Sequence, residues 1–256
     1  MKIFSRWVRA VLSLAELGNK RGRFPGQDTI VTAVLTEYHV KTSFHNQFIL
    51  LLSAYVFSAL KTTGNIMAKA YHEQGDSSIV WLIERWAGMD KYNEYCKCST
   101  AEAIRAFTET GGALLKEVFW IEELECYVRE QKKVSSAAAE QPMTVMLLIE
   151  VRKGCEMQFR RMNHAAMPAI REEQGVLTFL FSQVISHKTR FVVYKQFDSR
   201  EALQYHLKSA AIAPVIRFLQ TSVKEPPFEK AYHHLVEFVP LQPGGGNSDA
   251  PADTSL

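Results

Sequence analysis

The 256-residue sequence predicts an α+β protein: two tandem βαββαβ (ferredoxin-like) repeats whose sheets close into one intramolecular, pseudo-dimeric α+β barrel. Three observations carry this. The chain repeats itself without gaps: Gln47, Phe48, Gly64, Phe107 and Leu124 recur as Gln158, Phe159, Gly175, Phe218 and Leu235, at one offset (175 − 64 = 111, 218 − 107 = 111). A unit that long is a folded domain and not a solenoid module. Each copy also shows the same order of alternating apolar runs, helical runs and turn glycines. Finally, the strands are apolar on both faces, with Val31, Ala33 and Leu35 in one phase and the unbroken run Val80, Trp81, Leu82, Ile83 in both. Such a sheet needs cover on two sides. One set of helices covers one face, so packing the two sheets face to face supplies the other, and fusion makes that pairing independent of concentration.

The elements follow in order. In residues 1–28, Ile3, Phe4, Trp7, Val8, Val11 and Leu12 share one helical face and Lys2, Arg6, Arg9 and Ser13 the other, with no acidic residue before Glu16. That pattern fits a mitochondrial transit peptide, a docked amphipathic helix or a membrane-surface anchor equally, and its apolar run is too interrupted to span a bilayer. Gly18, Gly22, Pro25 and Gly26 make the linker into repeat one, residues 29–130. There, Thr29–Tyr38 reads as a strand, Phe44–Leu60 as a helix ending near Gly64, and Ile66–His72 with Ile79–Trp86 as a hairpin turning at Gly75-Asp76-Ser77. Two short helices follow, the second opening on Ser99 and Glu102 at capping-box spacing, and Val118–Tyr127 closes the unit.

A polar, alanine-rich connector, 131–141, leads to repeat two, 142–240. Met143–Val151 reads as a strand, Glu156–Glu173 as a helix that Pro168 should kink, Val176–Ile185 with Phe191–Phe197 as a hairpin, Asp198 as a helix cap, and Phe228–Val239 as the last strand. The tail, 241–256, has the composition of a disordered segment.

Composition narrows the function. With 47% hydrophobic residues, 22% charged and a formal charge of +3, the chain has no basic stripe of the kind nucleic acid requires. Cys96, Cys98, Cys126 and Cys155 show no framework spacing and read as reduced thiols of an intracellular protein, cytoplasmic or mitochondrial. Cys96-x-Cys98 lacks a second ligand pair, so no metal site is expected.

The run Phe191-Val-Val-Tyr194-Lys-Gln-Phe197-Asp198, followed by Ala202, His206 and Ser209, resembles the antibiotic biosynthesis monooxygenase (ABM) family of the dimeric α/β-barrel superfamily. That family's strand has the form Tyr-Glu-x-Trp-x-Asp and leads to a helix with Ala and His. Repeat one keeps Glu84-Arg85-Trp86 and has Tyr95 where repeat two has His206 (206 − 95 = 111). The resemblance implies an apolar pocket between each sheet and its helices. It also implies oxidation of a phenolic or quinol-like small molecule by O2, with neither cofactor nor metal. Repeat two departs from the pattern with Lys195 for the strand Glu and Phe197 for the Trp.

The resulting candidates are His206, Trp86 and Tyr194 for catalysis, and His164, Asn163, Met167, Phe197, Glu84 and Tyr95 for substrate contact. Trp81 and Trp86 read as in phase with Ile79 and Ile83, hence sheet core or pocket wall. His206 borders an apolar helix face, where it is either a core imidazole or a proton acceptor. Tyr194 offers an oxyanion a phenol, and the methionines beside His164 offer an adaptable wall. His233 and His234 alternate faces at the sheet edge. Three functions fit: a cofactor-independent monooxygenase, a non-catalytic small-molecule binder or scaffold, and a haem-binding or haem-degrading relative. A further homodimer stays open.

Overall fold

The β-branched and aromatic runs form eight antiparallel strands, and helical periodicity takes over where turn residues allow. The structure, a computed structural model, describes residues 31–129 and 142–239. The expected N-terminal helix and linker, the connector and the tail lie outside the described residues. Repeat one contains β1 (Thr32–Val40), α1 (His45–Lys61), β2 (Asn65–Glu73), β3 (Ile79–Trp86), α2 (Met89–Tyr95), α3 (Ser99–Glu109) and β4 (Ala113–Val128). Repeat two contains β5 (Met143–Glu150), α4 (Glu156–Glu172), β6 (Val176–Val184), β7 (Arg190–Phe197), α5 (Arg200–Lys208), α6 (Ala213–Ser222) and β8 (Tyr232–Val239).

The strands form one closed barrel in the order β1-β3-β2-β8-β5-β7-β6-β4. Each repeat contributes a four-stranded sheet, β4-β1-β3-β2 or β8-β5-β7-β6. The two do more than face each other: their edges hydrogen-bond at two seams, β4 to β6 and β2 to β8. Closure leaves no edge strand open to another chain. It also explains why β4 outruns the expected Val118–Tyr127. Ala113 to Ile121 pairs with β1 and Ile121 to Val128 with β6, so one strand serves both sheets.

Alternation sorts the strand residues. Ala33, Leu35, Tyr71, Trp81, Ile83, Phe119, Ile121, Met146, Leu180, Val192 and Tyr194 fill the barrel. The other phase faces the helices. In repeat two that layer is built on Phe159, Phe181, Phe191 and Phe218, with Phe159 stacked on Phe218 (5.6 Å, 11°) and Phe181 on Phe191 (5.5 Å, 6°). Each such fully buried ring contributes about 1.5–3 kcal/mol.

Several expectations are corrected. Trp81 and Trp86 are five positions apart and therefore on opposite faces: Trp81 enters the barrel, while Trp86 packs on Tyr92 and Tyr95 beneath α2. Cys98, not Ser99, is the N-cap of α3, and no side chain caps it. Ser199, not Asp198, caps α5, accepting from the Ala202 amide at 3.2 Å. Phe228–Ala231 is a short 3-10 turn, so β8 begins only at Tyr232. The offset also breaks before the last strand. β1 Ala33 faces Ile121, and its counterpart Thr144 faces Leu235, giving 235 − 121 = 114. Leu235 therefore answers Ile121 rather than Leu124, after a three-residue insertion.

The two long helices differ on their outer faces. Leu50, Phe57 and Leu60 of α1 are exposed, where α4 has Arg161, Pro168 and Arg171 at the same offset. The stretch Thr42–Lys61 is long and apolar enough, by length and composition, to cross a membrane, yet Phe48, Leu52, Tyr55, Val56 and Ala59 are buried.

Candidate active site

β6 and β7 of repeat two form a floor of aromatic and β-branched side chains, and α4 and α5 lie over it. Two charged residues and a histidine interrupt this apolar layer. Lys195 points from β7 into the phase otherwise held by Phe191, Val193 and Phe197. Glu173 stands at the C-cap of α4, and His206 is on the buried side of α5. They form a row: His206 Nδ1 lies 2.7 Å from Glu173 Oε2, and Lys195 Nζ lies 3.1 Å from His206 Nε2. All three are buried, His206 completely.

Electrostatics follows from burial. Desolvation, reinforced by the nearby Lys195 charge, pushes His206 down to about 4. It is therefore neutral at physiological pH. Burial also brings Lys195 down to about 8, against the opposing pull of Glu173. For Glu173 burial acts upward, but the hydrogen bond from His206 and the positive charge of Lys195 leave it below the ordinary carboxylate range. A neutral imidazole thus links a carboxylate to an ammonium, and the row carries no net charge. Phe179 presents its ring to Lys195 Nζ at 5.2 Å, an added cation–π attraction. Glu173 Oε1 and Ser209 Oγ are both buried, and the Ser209 hydroxyl beside the carboxylate helps hold it ionised.

Repeat one uses the same places differently. Glu84 holds the position of Lys195 (195 − 84 = 111) and Tyr95 that of His206. Glu84 Oε1 accepts from Tyr55 Oη at 2.9 Å and Trp86 Nε1 at 3.2 Å. Burial raises this carboxyl to about 7, and the two donors only partly counter it. The Tyr95 hydroxyl donates to the Tyr55 carbonyl, and its ring lies 4.9 Å from Trp86.

The structure therefore divides the expected residues. His206 and Phe197 meet, with ring centroids 5.2 Å apart. Glu84, Trp86 and Tyr95 meet in repeat one. Tyr194 joins neither set: adjacent to Lys195 on one strand, it faces the opposite side and points into the barrel, where its hydroxyl lies 2.6 Å from that of Tyr71. Asn163 donates to the Phe159 carbonyl of its own helix at 2.9 Å, and Met167 is core. His164 is exposed and pairs with Glu125 of β4, so it lines no wall. His233 faces inward to Glu73 (2.8 Å) on a strand paired on both sides, not at a free edge. The barrel centre holds a cavity of ≈ 10 Å³ beside Arg85, Glu123, Ser182 and Tyr194, room for about one water. Neither His206 nor Trp86 borders it.

Two residues escaped the sequence reading as members of a site, Lys195 and Glu173. A lone charge in the buried phase of an apolar strand was a usable signal for Lys195. Glu173 carried none, since only the turn at Gly175 returns the chain beneath α5.

An eight-stranded barrel of two ferredoxin-like sheets with a helical layer on each defines a tandem form of the dimeric α/β barrel. Residues 142–216, which run from β5 into α6 and make up most of repeat two, match the model of the antibiotic biosynthesis monooxygenase family. No curated protein matches the chain. Among solved structures, a candidate monooxygenase from Lactobacillus acidophilus NCFM has a TM-score of 0.67 at 13% identity, over 81% of this chain and 94% of that one. One from Fusobacterium nucleatum has a TM-score of 0.70 at 10% identity, over 82% and 94%. An anthrone oxidase-like protein has a TM-score of 0.57 at 10% identity, over 82% and 92%. At these identities the similarity is one of fold, and it extends across both repeats.

Proposed function

We propose that the protein is a cofactor-independent monooxygenase of the ABM kind, acting on an aromatic or quinol-like small molecule in the helix–sheet layer of repeat two. The observation that supports this reading is the buried row Glu173–His206–Lys195 inside the repeat that matches the family. Loss of a substrate proton gives an electron-rich anion that can reduce O2 directly. The reaction balances when a methylene between two aromatic rings becomes a carbonyl: one oxygen atom is inserted, the other leaves as water, and the substrate supplies all the electrons. A dry layer with a fixed cation favours the anion over its conjugate acid. The helix that covers the row, α5, buries only Leu203 and His206.

The test is O2 uptake by purified protein over a panel of hydroquinones and anthrone-type substrates, with 18O2 to follow the atom inserted. Uptake above buffer and one labelled oxygen in the product are expected. Uptake indistinguishable from buffer across the panel would overturn the reading.

A second reading is a non-catalytic small-molecule binder or scaffold. What favours it is that both layers are closed by side chains, with Trp86 and His206 both 0% exposed. Ligand-induced stabilisation without any O2 consumption would support it. For the haem-binding alternative, no Soret band on titration with haem removes it.

A further inference from the structure

The hydrogen bonds of the buried row identify which atom is free to act as a base. An ionised carboxylate only accepts, so Glu173 Oε2, at 2.7 Å, fixes the proton of neutral His206 on Nδ1. The lone pair of Nε2 then faces Lys195 Nζ at 3.1 Å and accepts from it. Both imidazole nitrogens are therefore engaged within the protein. The lysine nitrogen is less fully engaged: it gives one N–H to His206, and among the described residues the Phe179 ring also lies against it. As an amine it keeps its lone pair.

Building on the functional reading above, we propose that Lys195 Nζ is the proton acceptor of the repeat-two site, with His206 and Glu173 as positioning residues that orient it and share its charge. In the step, a substrate O–H or C–H bond breaks, its electron pair stays on the substrate, and the proton forms the ammonium. No oxidant enters until the anion meets O2. The substrate class follows: a molecule uncharged in its ground state, a phenol or an activated methylene compound, whose anion pairs with the ammonium.

The surroundings suit this role. The charged and titratable groups facing Lys195 are Glu173 from the end of α4 and His206 from α5, while β5 and β6 present Val145 and Phe179 as its register partners. Arg129 donates to the backbone carbonyl of Glu173 at 2.8 Å and holds that end of the row in place. Burial keeps the lysine near 8, so the ammonium predominates at pH 7 but about a tenth is amine, far more than for an ordinary lysine. Repeat one is built differently: two donors occupy Glu84, and Tyr95 stands at the place equivalent to His206.

Two measurements test the proposal. In 13C-labelled full-length protein, the Lys195 Cε resonance, assigned by its loss in Lys195→Arg, should titrate with a midpoint near 8, and Glu173→Gln should move it lower. A midpoint at the ordinary lysine value of about 10.4 would overturn the assignment, whatever substrate is found. With a turned-over substrate, Lys195→Met should lower kcat by about 10²–10⁴-fold. His206→Gln should instead keep measurable turnover with a displaced basic pKa in its pH–rate profile. Turnover of Lys195→Met within twofold of the parent also overturns the proposal. If no substrate is consumed at all, the functional reading falls and the titration still decides the lysine.

Discussion

Glu84 and Lys195 occupy one place in the two repeats, on β3 and β7, and carry opposite charges into equivalent buried layers. Each charge is met differently. Burial favours the neutral acid at Glu84, against the hydroxyl and indole donors that favour its carboxylate, whereas Lys195 is balanced by a carboxylate through an imidazole. Divergence at one position and its neighbours has thus given the copies different chemistry on one framework.

The Glu84 carboxyl makes stability depend on pH with a definite sign. Its folded value, about 7, exceeds the ordinary 4.5, so its contribution is complete below pH 4.5 and is lost as pH rises through 7. The loss is on the order of 3 kcal/mol. His206, lowered to about 4, acts in the opposite sense, so the informative quantity is a difference. Urea unfolding of Glu84→Gln and the parent should show the variant gaining relative stability between pH 4.5 and 7. A flat difference contradicts the buried acid.

Gly64 and Gly175 sit at matched turns with φ of +94° and +83°. At Gly175 an added Cβ meets the Ala202 Cβ at 2.4 Å, which is anchored to backbone, while at Gly64 it meets the flexible Lys91 chain at 2.7 Å. Both substitutions to alanine strain the backbone, at roughly 1–3 kcal/mol. Gly175→Ala should be the more destabilising in thermal melts. Equal losses would show that Ala202 can move at little cost.

Tyr71 and Tyr194 join the repeats inside the barrel through hydroxyls 2.6 Å apart. Burial raises both well above the usual phenol range, so each remains a neutral donor. A double-mutant cycle with Tyr71→Phe and Tyr194→Phe should give a coupling of about 0.5–1.5 kcal/mol. Zero coupling would mean that Glu237, which Tyr71 also reaches at 3.3 Å, satisfies it alone.

Leu50 on α1 is 72% exposed, and the equivalent place on α4 is Arg161. Leu50→Arg should therefore alter stability by no more than about 0.5 kcal/mol. A loss of several kcal/mol, read by chemical denaturation, would show that something covers this face in solution.

Much of the fold was legible in local pattern. Strand alternation, helical spacing and the 111-residue step place nearly every element, because each depends on neighbours in sequence. The failures have a common origin in counting and closure. Trp81 and Trp86 differ by an odd number of positions, so one strand must turn them to opposite sides. The three added residues before β8 become visible only when Leu235 is seen facing Thr144.

The chain by itself determined two copies of one βαββαβ unit, sheets apolar on both faces, and a second copy with a family-like strand and helix. Those properties are written in periodicity and composition. Only the tertiary structure decided that the sheets join at both edges, that Tyr194 and His206 belong to different compartments, and that Glu173 reaches His206 beside Lys195. The last is a matter of geometry: groups 22 positions apart (195 − 173 = 22) interact because a turn and a β-hairpin fold them into one dry layer, and no pattern along the chain records that distance.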